Sequence, residues 1–346
     1  MSTSNKSDRV TLTKIANVLN LHVSTVSRVL NASQHEALLA ASPKTVERIR
    51  ALARELNYQT NQNAASLRTK RSNSIGVLVP RLTDIVLATI YEGIDQAASR
   101  HGKVTFVSNT ENDLDNQRRL GEIALARQVD GLIIGDAHVG LQSYLYELEN
   151  RSVPFVLVSR GAENFCSVTC DDYLGGELVA EHFYENGHQR LAVASGEDFA
   201  ITGINRSTGF IHYLQSRGID VPANWNVSSG FDTRSGFEVG MQLLSQNVRP
   251  TAIFAVNDFL AIGIMGAARK LGLTVGLDIA VVGYNDTPLA EHLPISLSSV
   301  YSPLRQMGSV AYEMLQNKID KKPSYTQVLK PRLNVRESST GVKLMD

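Results

Sequence analysis

At 346 residues the chain is long enough for two or three domains of ordinary size. Its 43% hydrophobic and 20% charged content excludes wholesale disorder, and apolar runs such as 253–256 and 279–282 stop well short of the ~20 residues a membrane span requires. The formal charge is zero, 34 basic against 34 acidic residues, but residues 1–74 carry eleven Lys/Arg and only four acids, a surplus of seven positive charges that the remainder offsets. Such asymmetry points to nucleic acid as the partner of the basic part, against the plainer alternative of a solvated basic face. The first nine residues lead into a polar segment without an apolar signal core, and two cysteines cannot build a disulfide framework. A cytoplasmic protein with no membrane partner is the expectation.

In chain order, Ile15, Ala16, Val18 and Leu19 recur at helical spacing, as do Val23, Val26 and Leu30, then Val46, Ile49, Leu52, Ala53 and Leu56. The first two runs are separated too briefly for anything but a tight turn. Ser42-Pro43 suits the start of the third, serine as N-cap and proline in the first helical position. Residues 32–41 are expected to form a loop, and 68–74 a basic polar linker. Helix, short turn, then a helix carrying Ser24, Thr25, Ser27 and Arg28 is the layout that places one helix in a major groove. Short hydroxyls suit phosphates and the thymine methyl, and an arginine can grip guanine with two hydrogen bonds. Taken alone, the same residues equally suit an exposed helix with a surface ion pair.

From Ser74 onward short apolar strands alternate with helical stretches. Strands are expected at 75–79, 104–107, 131–134 and 155–158, then at 191–194, 226–230, 252–256 and 279–282. Helices such as 87–101 and 259–271 end at glycines placed as C-caps, Gly102 and Gly272. Strand starts lie roughly 24 to 36 residues apart, the spacing of parallel βαβ units. Eight strands suit one large sheet or two similar ones, and the longer gap after 155 favours two. Ligands bind beyond the carboxyl ends of such strands, and two facing units enclose a cleft.

The run Thr25-Val26-Ser27-Arg28-Val29-Leu30-Asn31, preceded by Leu12 to Ala16, resembles the DNA-binding headpiece of the LacI/GalR (lactose-repressor) family. Asn57-Tyr58, Ala64 and Leu67 are similar to the end of that family's third helix and its hinge helix. Further likenesses follow at Asn205-Arg206 to Phe210, Val256-Asn257-Asp258 and Val281 to Asp286, so the resemblance spans residues 10 to about 336. It implies an all-α helix-turn-helix headpiece (1–59), a hinge helix and linker (60–74), and an α/β core like that of periplasmic binding proteins (75–346). Two parallel-sheet subdomains are implied, the first about 75–160 and 303–320, the second about 161–300 and 326–340. The implied function is a homodimeric transcription regulator, a repressor by family habit, on a pseudo-palindromic double-stranded operator. A small effector between the subdomains controls it: a sugar or sugar derivative first, a purine or nucleoside second, with an activator as the other variant.

By matching positions, Val23, Ser24 and Arg28 choose bases, Thr25 and Ser27 position the helix on phosphates, and Asn31 closes the motif. Leu67 is the wedge into the minor groove, or else a small satellite core contact. Three departures bear on the headpiece. Lys14 replaces a frequent acid of the first helix's capping box, His22 replaces a serine as either a cap or a phosphate contact, and Thr60 replaces a hinge proline. In the cleft, Arg206 suits a fork of hydrogen bonds to ligand or a structural ion pair, and Phe231 a stacking platform or core burial. Asn257 and Asn285 offer amides, Asp286 a ligand contact or a helix cap, and Asp84, Arg160 and Asp171 follow other strands. Asn285 stands where the family commonly has aspartate, and Val86 and Leu87 where it commonly has aromatic residues. No phosphate loop, nucleophile elbow or zinc helix is present. The chain is accordingly expected to be no enzyme, with no cofactor, no catalytic residue and no metal site, Cys166 and Cys170 being ordinary thiols.

Overall fold

The computed structural model describes residues 10–31, 33–58, 71–135, 137 and 140–341. The chain forms two compact units divided between Ser72 and Asn73.

The first unit contains α1 (Leu12–Leu19), α2 (Val23–Asn31), α3 (Gln34–Ala40) and α4 (Pro43–Glu55). Thr11 Oγ1 accepts from the Lys14 backbone N–H at 3.3 Å, one half of a capping box whose other half a lysine cannot supply. Asn20 enters the left-handed region at φ 52° and Leu21 N–H returns to the Ala16 carbonyl at 2.9 Å, so the chain turns into α2 within three residues. Ile15, Ala16, Val26, Val29, Val46, Ile49 and Ala53 form the core of the unit. The segment expected to be a loop holds a helix instead. Ser33 and Glu36 make a complete capping box for α3, and Ala37 buries itself in the core. Seven helical residues with only one buried contact left too little periodicity to show in the sequence.

The second unit has two six-stranded sheets. The first contains β1 (Ser74–Val79), β2 (Val104–Asn109), β3 (Gly131–Ile134), β4 (Phe155–Val158), β5 (Ser167–Cys170) and β11 (Gln327–Leu329), ordered β11-β5-β4-β3-β1-β2 and parallel throughout. The second contains β6 (Leu191–Gly196), β7 (Asn226–Ser228), β8 (Ala252–Ala255), β9 (Ala280–Asn285), β10 (Ser298–Tyr301) and β12 (Arg332–Asn334), ordered β12-β10-β9-β8-β6-β7. Only β12 runs antiparallel to its neighbour. The helices are α5 (Ile85–Arg100), α6 (Leu114–Ala126), α7 (Gln142–Asn150), α8 (Asp172–Glu185), α9 (Ile201–Ser216), α10 (Thr233–Leu244), α11 (Asp258–Lys270), α12 (Pro288–His292) and α13 (Leu304–Ile319). β1, β3, β4, β8 and β9 are buried along their whole length, as strands covered by helices on both faces must be. Among the described residues no helix is long and apolar enough to cross a membrane, and no cluster of three or more potential metal ligands exists.

Among the described residues twelve strands stand in place of the eight expected, and the subdomain boundaries shift with them. β5 and β11, assigned from sequence to the second half, belong to the first sheet. Val168 and Cys170 pack into its core, and β11 pairs with β5 from Gln327↔Val168 to Leu329↔Cys170. The chain therefore crosses between halves after Cys170, after Tyr301 and after Leu329. β10 carries little apolar signal because two of its three buried residues are serines, with Val300 the third. Ser298 and Ser299 are fully enclosed and bonded to Ser338, Ser339 and Asp258 in place of apolar contacts.

Helices α5 and α13 touch backbone to backbone, because Gly93 lies against the Arg305 carbonyl and Gly308 against that of Ile90. A Cβ on Gly93 would stand 2.2 Å from the Arg305 oxygen, so Gly93→Ala forces the helices apart. The expected loss is about 1–3 kcal/mol, read as a lower midpoint in chemical denaturation. An unchanged midpoint would refute that packing.

Candidate DNA interface and candidate ligand cleft

On α2 the side chains sort by exposure. Val26 and Val29 are buried, Val23, Thr25, Ser27 and Asn31 half-buried, and Ser24 and Arg28 exposed, four residues apart on one face. His22 stands at the helix start with Nδ1 3.3 Å from the Ser24 N–H and 2.6 Å from its hydroxyl, the position of an N-cap. Asn31 folds back, Nδ2 donating to Ser27 Oγ at 3.2 Å. The polar edge open to a partner therefore comprises His22, Ser24 and Arg28, while Ser27 and Asn31 hold one another. Leu67, Ala64 and Thr60 lie outside the described residues.

In the second unit the carboxyl ends of β1, β4, β6, β8 and β9 converge on a cleft. An outer cavity of about 450 Å³ and an inner one of about 70 Å³ share Asp84, Leu87, Arg160, Phe231 and Phe259 as lining. Arg206 closes the inner floor together with Thr202, Asn257 and Asn285. Its Nε donates to Asp172 at 2.7 Å, Nη1 donates to the Val256 carbonyl at 2.8 Å, and the guanidinium lies 3.7 Å from the Tyr284 ring centroid. A buried ion pair thus holds Arg206, and its edge lines the cavity. Nη2 makes no hydrogen bond among the described residues.

Phe231 is half-buried and lines both cavities. Gly196, at φ 77°, makes room for it, since a Cβ there would meet the ring at 2.5 Å. Asn257 is the N-cap of α11, Oδ1 accepting from Leu260 N–H at 2.7 Å, and its Nδ2 donates to the Phe231 carbonyl at 2.9 Å. It lines the floor but spends its amide on positioning. Asn285 ends β9 at φ 96°, buried, and its Oδ1 has no partner among the described residues. Asn112 and Ser159, also lining the cleft, have φ of 57° and 68°. Strain of this kind gathers where the surrounding structure holds a site in place.

Two candidates are corrected. Asp286 neither reaches the cleft nor caps α12. Its carboxylate is taken by Arg336 Nη1 and Asn334 Nδ2, each at 2.6 Å, and Thr287 occupies the cap position. Asp171 lines neither cavity and caps α8 through Leu174 N–H at 3.0 Å. Its neighbour Asp172 is the residue that meets Arg206. Asp84 combines both duties, capping α5 through Val86 N–H at 2.9 Å while lining the cleft, and burial raises its carboxyl pKa. Arg160 lies with its guanidinium 5.8 Å from the Phe199 ring centroid across the opening. Sequence reasoning missed Arg81, Thr202, Glu197, Asp232 and Phe259, which line the cavities from loops and from the first turns of helices.

Comparison with known proteins covers both units. Residues 11–61 match the bacterial regulatory proteins of the lacI family, and residues 180–339 match a periplasmic binding protein-like domain. The HTH-type transcriptional repressor PurR of Klebsiella pneumoniae is 30% identical over 97% of this chain and 98% of its own length. PurR of Salmonella enteritidis is 30% identical over 95% of this chain and 96% of its own. Among solved structures, the Lac repressor dimer bound to operator and the anti-inducer ONPF is similar with a TM-score of 0.88 at 29% identity, covering 96% of this chain and 100% of that one. The transcriptional regulator CelR in complex with cellobiose is similar with a TM-score of 0.71 at 27% identity, covering 95% and 100%.

Beneath the Asn285 turn, Asp258 accepts from Ser299 Oγ at 2.5 Å and from Thr287 N–H at 2.7 Å, and burial pushes its carboxyl up to about 6. The folded chain then keeps a proton that the unfolded chain releases near pH 4, so this stabilisation is complete below that and is lost as pH rises through 6. Between about pH 4 and 7, Asp258→Asn should gain on the parent protein by up to about 3 kcal/mol in denaturation experiments. Parallel pH profiles for the two proteins would overturn the assignment.

Proposed function

The chain belongs to the lacI family of bacterial regulatory proteins, and from that premise we propose that it represses transcription as a homodimer, α2 of each copy lying in the major groove of one half of an operator. Ser24 and Arg28 reach base edges together with Val23, Thr25 and Ser27 set the helix against phosphates, and Asn31 braces Ser27. Leu67 wedges the minor groove between half-sites. The exposed Ser24–Arg28 edge, in a segment with seven surplus positive charges, carries this proposal. The cleft between the sheets takes the effector, a sugar or sugar derivative. Arg206 offers donors, Asn285 and Asp84 offer acceptors, and Phe231 offers a face, a set suited to hydroxyls on a ring. The cellobiose complex of CelR and a regulator from Enterococcus faecium with bound ribose support the sugar. The PurR relatives support a purine instead. The chain acts by binding alone: the effector changes operator affinity because it binds the two arrangements of the subdomains unequally.

An operator selected from a random-sequence pool and titrated by fluorescence anisotropy tests the headpiece. Arg28→Ala should lose about 1–3 kcal/mol of specific affinity, and Leu67→Ala should weaken operator binding without moving effector affinity. Equal operator affinity in either variant removes that residue from the interface. A melting panel of sugars, nucleosides and purines tests the cleft. A selective sugar shift lost in Arg206→Ala supports the first effector class, and a purine shift replaces it with the second.

A further inference from the structure

The outer cavity is lined by opposite charges on its two walls. Arg81 and Arg160 project from the loops after β1 and β4 of the first sheet, while Glu197 and Asp232 stand on the loop after β6 and the start of α10 of the second. Among the described residues, none of the ion pairs includes Arg81, Glu197 or Asp232. Arg160 already spans the opening, with its guanidinium over Phe199 of the opposite wall and Nη1 3.4 Å from Asn112 Oδ1 on its own. Among the described residues the inner floor adds no spare cation, because Asp172 matches Arg206 at 2.7 Å. Apart from that pair, the described residues of the linings include two arginines against three carboxylates, with Asp84 as the third.

We propose that Arg81 and Arg160 pair with Glu197 and Asp232 as the cleft closes, forming an electrostatic latch that selects an uncharged effector over a phosphorylated or carboxylated one. This rests on the effector site assigned above. As the walls approach, each arginine gains a carboxylate across the gap, and the closing cleft excludes the solvent that screens such pairs. An anionic group placed there competes with Glu197 and Asp232 for the same two guanidinium groups and faces three carboxylates, so it opposes closure. An uncharged ligand leaves the wall-to-wall pairing intact. The latch has an unusual consequence: the affinity of an uncharged ligand depends on salt, because the charges that respond belong to the protein.

Closure is measurable without knowing the effector. In the full-length protein, spin labels at Glu149→Cys and Glu185→Cys, in a Cys166→Ala/Cys170→Ala background, report the distance between the halves by double electron–electron resonance. The closed population should fall as KCl rises from about 0.05 to about 0.5 M. It should also fall in Glu197→Arg, and recover when Arg81→Glu is added. A distribution indifferent to salt and to both variants overturns the latch. In the same buffers, neutral sugars, including cellobiose and ribose, are titrated beside their phosphorylated counterparts. The bound sugar should be the uncharged one, its Kd rising about threefold or more across that salt range. A phosphorylated form binding as tightly as its parent overturns the charge selection. If every sugar is silent while the distances respond, the sugar assignment fails and the latch stands.

Discussion

The guanidinium of Arg206 is the joint around which the second half of the core is assembled. From α9 it holds the first residue of α8 through Asp172, the end of β8 through the Val256 carbonyl, and β9 through the ring of Tyr284. A cation with 7% exposure is tolerable only because each of these partners compensates part of the lost hydration. The same joint fixes the floor of the cleft. Because the arginine is held rigidly from below, the edge it shows to the cavity is pre-set, and a ligand meeting it need not pay to order it.

A second layer of constraint surrounds that floor. Asn285 and Asp286 both have positive φ, at 96° and 50°, a costly conformation for residues with a Cβ. Asp258 anchors this turn through Ser299 and Thr287, while Arg336 and Asn334 hold the Asp286 carboxylate. Asn334 ends β12 and Arg336 lies two residues beyond it, so the segment that follows the last crossover grips the turn presenting Asn285. The segment after the last crossover and the turn that shapes the cleft floor are therefore tied by direct hydrogen bonds. That is the coupling a ligand-controlled regulator requires, since a ligand acts only through its differential affinity for two arrangements.

Much of the architecture is written in local pattern. The long buried strands announce themselves because both of their faces are covered and nearly every residue is apolar. The helices of the first unit follow from 3.6-residue periodicity and from Ser42-Pro43. Strands β5, β10, β11 and β12 escape notice because they are short, rich in hydroxyls or exposed, and only pairing with distant strands makes them strands. Helix α3 escapes for a related reason, its identity resting on a Ser33–Glu36 capping box rather than on a buried stripe.

By itself, the sequence determined that a basic segment of helix-turn-helix pattern precedes a core of parallel βαβ units and that Asn257 and Asn285 lie just beyond strand ends, while Arg206 and Phe231 were marked only by the family resemblance. Charge surplus, periodicity and strand spacing are local properties, so they survive without coordinates. Only the tertiary structure decided what each polar group is used for. Asn257 caps α11, Asp171 caps α8, and Asp286 pairs with a residue fifty positions away, whereas Asp172 holds Arg206 and Arg81 and Glu197 line the walls. A carboxylate or an amide has the same chemistry in a cap, an ion pair or a binding site. Its role is set by which donors the fold brings within about 3 Å, and that distance is not encoded in neighbouring residues.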